Sequence, residues 1–267
     1  MKLAISTAAG LGDLIMNRGC LDTIKHKYEE IRISIHTPTL SFWRQDNNRY
    51  LGFVREFGKL IYSDKPYVFD NDLHPFKDQL MIINQYNINP QRANLANFLC
   101  QGDFKLDQPY VVFTTKVRLV KQSLLESGLP ALWKALNSIP YPIVILGEQE
   151  VERSKEYSIR VNSDNIFGVY AGTKNLNNTI DLTVPKLGIT VPDMKKLRYD
   201  CQVMRDAKAV ITLGVGGNFC LSLACAKNTI GFRSDSEPHL DMLMRNKPEG
   251  VFLTRDWNQF LDKIKVI

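Results

Sequence analysis

Two glycine-rich turns, one near each end of the sequence, carry the residue types suited to holding an anion. The first, Ala9-Gly10-Leu11-Gly12-Asp13, breaks a short apolar run, Lys2-Leu3-Ala4-Ile5-Ser6, and precedes Leu14, Leu21, Ile24 and Tyr28 at helical spacing. Glycines at such a turn let the backbone approach a ligand closely. The helix start adds unpaired N–H groups and the positive end of the helix dipole. Asp13 then stands at the mouth of the expected crevice, unless it serves only to cap the helix. The second turn, Gly214-Val215-Gly216-Gly217-Asn218, places three glycines in four positions at another helix start, more than chain reversal requires.

As a dinucleotide fingerprint the first turn is incomplete, because Gly10-x-Gly12 lacks the third glycine and the downstream acidic residue. A nicotinamide cofactor is therefore not expected. The four histidines, His26, His36, His74 and His239, show no metal-ligand spacing. Five cysteines (Cys20, Cys100, Cys201, Cys220, Cys225) form no CxxC pair. Their neighbours, such as Leu221-Ser222-Leu223-Ala224, are apolar, so they read as small buried hydrophobes in a reducing compartment.

The elements that must position these turns alternate along the chain. Strands are predicted at Ile31 to Ile35, Tyr110 to Thr114, Ile143 to Leu146, Ile166 to Tyr170, Thr179 to Leu182, Ala209 to Leu213 and Thr229 to Phe232. Helices are predicted at Tyr50 to Phe57, after Pro90, at Leu124 to Leu136, Glu148 to Tyr157, Asp193 to Asp206, through Ala224, and at Trp257 to Ile264. This alternation implies α/β architecture with parallel sheets covered on both faces. The polar stretch Gln101 to Pro109 interrupts the pattern and reads as a linker between two domains.

The 34 Lys+Arg against 28 Asp+Glu give a net charge of +6. An anionic partner fits this balance, whether a nucleotide-linked substrate, a membrane surface or, as a minor alternative, nucleic acid. No basic-then-apolar leader opens the sequence, and no apolar run approaches the roughly 20 residues that span a bilayer. A soluble cytoplasmic protein, with peripheral membrane contact allowed, is the expectation.

The pairing of Gly10-Leu11-Gly12-Asp13-Leu14-Ile15 with the run from Asp193 to Phe232 resembles glycosyltransferase family 9, the heptosyltransferase-like enzymes. Asp206-Ala207-Lys208-Ala209-Val210-Ile211-Thr212 and the segment from Leu221 to Gly231 follow the family order. The resemblance implies a GT-B fold, two Rossmann-like domains facing a cleft. Residues 1–103 would form the acceptor side and residues 104–267 the nucleotide-sugar side. It further implies an inverting, metal-independent transfer of a sugar from a nucleotide-sugar donor to a hydroxyl on a glycan or glycolipid, with no cofactor. A hydroxylated DNA base as acceptor, or a catalytically silent binder of sugar nucleotides or glycans, are the alternatives.

In the family the Gly-x-Gly-Asp aspartate is the candidate general base, which here is Asp13 beside Gly10 and Gly12. Thr114 and Thr115, with Lys116 and Lys121, resemble the phosphate-binding segment, and Gly214, Gly216, Gly217 and Asn218 would add helix-start amides. Glu148, Glu150 or Glu152 would hold the ribose. Asp70-Asn71-Asp72 matches the DxD element of metal-dependent transferases but lies in the wrong half of the chain. The family's Asp-Thr-Gly turn and following histidine are replaced here by Gly214-Val215-Gly216 and Phe219. The donor is accordingly expected to differ from ADP-heptose, with Phe219 offering an apolar wall to a sugar ring.

Overall fold

In the computed structural model the described residues are 2–7, 30–35, 60–62, 80–81, 96, 99–118, 120–149, 166–184, 194–214, 216–234 and 249–267. Strands β1 (Lys2–Thr7), β2 (Glu30–Ile35), β3 (Leu60–Tyr62) and β4 (Leu80–Met81) form one parallel sheet in the order β3-β2-β1-β4. Strand order reverses beside β1, the strand that leads into the first glycine turn. The predicted helix at Tyr50 to Phe57 lies outside the described residues, and after Pro90 only residues 96 and 99 are described as helical.

A second, larger sheet begins after residues 100–110, which carry neither helix nor strand. It comprises β5 (Val111–Thr114), β7 (Ile143–Leu146), β9 (Thr179–Asp181), β10 (Ala209–Leu213), β11 (Thr229–Phe232) and β12 (Val251–Thr254). Their order is β12-β11-β10-β5-β7-β9, and every pairing is parallel. Apolar, β-branched runs such as Ile143–Leu146 form such strands because both faces are buried. Chain order runs outward from β5 through β7 to β9 and then restarts at β10 on the other side. The reversal between β5 and β10 is a topological switch point, where a crevice opens at the strands' carboxyl ends.

Each face of this sheet has its own cover. Val111, Phe113, Ile145, Ile211, Leu213 and Phe232 project into a core shared with Leu132, Trp133 and Leu136 of α1 (Gln122–Asn137) and Phe260 and Ile264 of α4 (Trp257–Lys265). Phe232 meets Trp257 edge-on at 4.8 Å between ring centroids, a geometry that adds about 0.5–1.5 kcal/mol to area burial. Asp256 caps α4 by accepting from the N–H groups of Asn258 and Gln259. The opposite face lies under α2 (Met194–Asp206) and α3 (Gly217–Cys225). Tyr110 Oη donates to the carbonyl oxygen of Val203 in α2 across 2.8 Å, and the Phe219 ring of α3 sits against Gly231 of β11.

Three details differ from the sequence reading. Of the helix expected from about Glu148 to Tyr157, the first two residues are not helical, Glu148 bridging Val184 in parallel fashion and the Gln149 N–H donating to the Val184 carbonyl, while residues 150–157 lie outside the described residues. The short strand β6 (Lys116–Arg118) pairs antiparallel with β8 (Ile166–Gly168), a ribbon whose polar first half gives no apolar signal. Tyr170, expected at the end of a strand, instead opens a 3-10 helix, Tyr170–Asn175.

Candidate functional site

Thr114 ends β5 and Thr212 stands in β10, each one residue past the register pair Phe113 and Ile211. Alternation turns both threonines away from the α1/α4 core, toward the face covered by α2 and α3. Both side chains are buried, and neither hydroxyl has a hydrogen-bond partner among the described residues. An unpaired buried hydroxyl costs about 1–3 kcal/mol, and these two flank the switch point.

One residue further on, the loops after β5 and β7 are tied together. The fully buried Thr115 donates its Oγ1 hydrogen to the Glu148 carbonyl at 2.8 Å, while its N–H donates to the Leu146 carbonyl at 3.0 Å. Lys116 Nζ approaches Glu148 Oε1 at 3.4 Å, with the lysine side chain 37% and the glutamate 18% exposed. Gly147 between them holds φ at +114°, and a Cβ there would meet Thr115 Oγ1 at 2.6 Å and lie 3.7 Å from Asn218 Nδ2. The start of α3 thus closes over the same point.

The turn into α3 supplies the anion-binding geometry. Gly214 takes φ +86° and donates its N–H to the Phe232 carbonyl at 2.6 Å, so a side chain at this position would strain the backbone. Gly216 is the N-cap, in an extended conformation with no side-chain cap and no acidic residue in the first turn. The first intrahelical bond runs from the Cys220 N–H to the Gly216 carbonyl. The N–H groups of Gly217, Asn218 and Phe219 precede it and are free of intrahelical partners, at the positive end of the dipole.

Lys121 sits on the other side of the switch point. Its backbone N–H, at the start of α1, donates to Ser234 Oγ at 2.7 Å, just past β11, and its side chain is exposed. Arg233, beside Ser234, is 1% exposed. Neither Arg233 nor Ser234 emerges from the sequence reading, nor does Thr212; the common signal is a polar residue at or just past the carboxyl end of an apolar strand. At the outer edge of the sheet, Tyr170 Oη donates to Asp181 Oδ2 at 2.7 Å. Burial opposes charge on Asp181, yet the hydrogen bonds from Thr183 and Tyr170 prevail and hold its carboxyl below the usual range.

Of the residues singled out from the sequence, the structure brings Thr115, Lys116, Glu148 and Asn218 together around Gly147, with Thr114 beside Thr212. Gly214, Gly216 and Gly217 form the adjoining turn, and Lys121 is held across it next to Ser234. Asp13, Gly10, Gly12, Glu150, Glu152, Asp70, Asp72 and His239 lie outside the described residues. Phe219 does not present a wall to a ligand: it is 1% exposed, packed between α3 and the sheet. Among the described residues no group of His, Cys, Asp and Glu is arranged to hold a metal ion, and no helix is long and apolar enough to cross a membrane.

No family model and no curated protein sequence matches the chain. Solved structures do. The Escherichia coli ADP-heptose LPS heptosyltransferase II superposes with a TM-score of 0.51 at 13% identity, covering 100% of this chain and 98% of that one. The chain has a heptosyltransferase-like GT-B fold. E. coli heptosyltransferase WaaC, solved with ADP-2-deoxy-2-fluoro heptose, gives a TM-score of 0.47 at 12% identity, covering 100% of this chain and 98% of that one. The UDP-GlcNAc 2-epimerase of Methanocaldococcus jannaschii gives 0.46 at 11%, covering 100% and 92%. In open parallel α/β sheets ligands bind in the crevice at such a switch point, here where β5 and β10 end side by side.

Proposed function

We propose that the protein is a glycosyltransferase that binds a nucleotide sugar at the β5/β10 switch point and transfers its sugar to an acceptor hydroxyl with inversion. The observation that carries this reading is the uncapped start of α3 at the switch point flanked by Thr114 and Thr212, whose buried hydroxyls have no partner among the described residues. A diphosphate offers acceptor oxygens to the N–H groups of that helix start. The division into an acceptor side, residues 1–103, and a donor side, residues 104–267, belongs to the same proposal. Phe104 supports it by packing edge-on against Tyr110 and Tyr199 of the larger unit.

In this scheme the Asp13 carboxylate accepts the proton of the acceptor hydroxyl as its oxygen attacks the anomeric carbon. The bond from that carbon to the diphosphate oxygen breaks in the same displacement, which inverts the centre. Charge developing on the leaving phosphate is met by the amides of Gly217 and Asn218 and by the Lys116 and Lys121 ammonium groups. Glu148, held by Lys116, stands at the end of β7 to orient the ribose. The acceptor is a glycan or glycolipid, and the site works without a metal.

Gly214 favours a second reading. The acidic sugar contact expected from the family resemblance is missing, and at φ +86° the backbone disfavours any side chain that would restore it. A catalytically silent sugar-nucleotide binder has the same donor cradle without turnover. Calorimetric titration with UDP, GDP and ADP tests the shared part of both readings. Saturable one-to-one binding to at least one is expected, and no binding to any of them rejects both.

A further inference from the structure

A polar segment rich in Asp, Gln, Gly and Pro ordinarily leaves the joint between two units loose. Residues 101–107 instead alternate in burial: Gln101, Asp103, Lys105 and Asp107 are exposed, whereas Gly102, Phe104 and Leu106 are half-buried. A period of two is the mark of an extended chain with one side laid on a surface. That surface is α2.

Contacts to α2 run the length of the segment. Cys100, whose N–H closes a helical turn onto the Ala96 carbonyl at 2.8 Å, donates its Sγ hydrogen to the Cys201 carbonyl at 3.3 Å, and Arg205 Nη1 donates to the Cys100 carbonyl at 3.5 Å. A Cβ built on Gly102 would lie 2.9 Å from Tyr199 Cα and 3.1 Å from Gln202 Cβ, so glycine lets the chain run this close to the helix. Phe104 meets Tyr199 and Tyr110 edge-on, at 5.8 and 5.5 Å between ring centroids. Tyr110 closes the run: its Oη donates to the Val203 carbonyl at 2.8 Å, and its own carbonyl accepts from the Lys208 N–H at 2.9 Å. Tyr199, Gln202 and Arg205 are spaced three apart and form one ridge of α2.

We propose that residues 100–110 are a fixed strap on α2, so that this polar segment is not a free joint between the two sheets. Because α2 packs against α3, whose start forms the glycine turn at the switch point, the strap ties the linker to the layer that carries that turn. The hold comes from several modest contacts spread from Cys100 to Tyr110, and none of them needs a ligand.

Trypsin tests the strap in the full chain through the bond after Lys105. To enter the protease groove the chain must come away from its support on both sides of that bond, where the half-buried Phe104 and Leu106 stand. Cleavage there reports how often the strap leaves α2. The initial rate, read by mass spectrometry as new ends at Lys105 and Leu106, is expected to be more than about a hundredfold slower than in a free synthetic peptide of residues 99–112. Gly102→Val sets a branched side chain against Tyr199 Cα, and Phe104→Ala removes both ring contacts. Each is expected to raise the rate by about tenfold or more, at a temperature where circular dichroism shows the variant folded. A wild-type rate within that hundredfold of the peptide's, or slow cleavage retained in either folded variant, would overturn the proposal. If neither variant folds, the wild-type rate alone decides.

Discussion

The Thr115 hydroxyl donates to the Glu148 carbonyl across 2.8 Å, one buried hydrogen bond that ties the loop after β5 to the loop after β7. Removing the donor leaves the carbonyl without this bond, at a cost of about 1–3 kcal/mol. Thr115→Val is therefore expected to lower the thermal midpoint and to weaken nucleoside-diphosphate binding, whereas Thr115→Ser keeps both near wild type. Equal behaviour of the two variants in calorimetry would show that the bond does not organise the site.

Gly147 is placed where no side chain fits. With φ at +114° and Thr115 Oγ1 only 2.6 Å from a built Cβ, Gly147→Ala is expected to destabilise the chain by about 1–3 kcal/mol. Denaturant unfolding followed by circular dichroism measures this directly. An unchanged midpoint would mean that the loop after β7 relaxes freely and does not set the position of Glu148.

Lys116 and Lys121 approach the switch point from two sides. If each makes a charge-assisted contact with the diphosphate, Lys116→Ala and Lys121→Ala each weaken binding by roughly 1.5–3 kcal/mol. Because Lys116 also pairs with Glu148 at 3.4 Å, Glu148→Gln is expected to leave diphosphate affinity intact while reducing the preference for a full nucleoside diphosphate over pyrophosphate. Titration of UDP, ADP and pyrophosphate separates these effects. Unchanged affinity in both lysine variants would return them to the solvated surface.

If amides and ammonium groups take up the phosphate charge as proposed, a chelator leaves turnover unchanged. Loss of rate in EDTA, restored by manganese, would point to Asp70 and Asp72 as a metal site.

Much of the larger unit was legible before the structure. Ile143–Leu146, Ala209–Leu213 and Thr229–Phe232 match their expected bounds because each is a β-branched apolar run between turn signals. Val251–Thr254 was not expected as a strand, since its four residues carry no alternation and no flanking repeat. The threonine ends and the Gly214 to Asn218 turn were also visible. Their partners were not: that Thr115 meets Glu148, and that Thr212 stands level with Thr114, follows from parallel register across strands distant in sequence. Phe219 misled for a related reason. Its helical spacing from Gly214 points toward the crevice, whereas packing on Gly231 draws it into the core.

The central claim is tested most directly by the release of nucleoside diphosphate from a panel of UDP-, GDP- and ADP-linked sugars, measured for the wild type and for Asp13→Asn. The account predicts slow but saturable release from at least one UDP- or GDP-linked hexose or pentose. Asp13→Asn is predicted to transfer about 10²–10⁴-fold more slowly with nucleotide affinity nearly intact. Near wild-type turnover by Asp13→Asn would contradict the mechanism. Binding of nucleotide sugars with no release from any of them would contradict transfer itself.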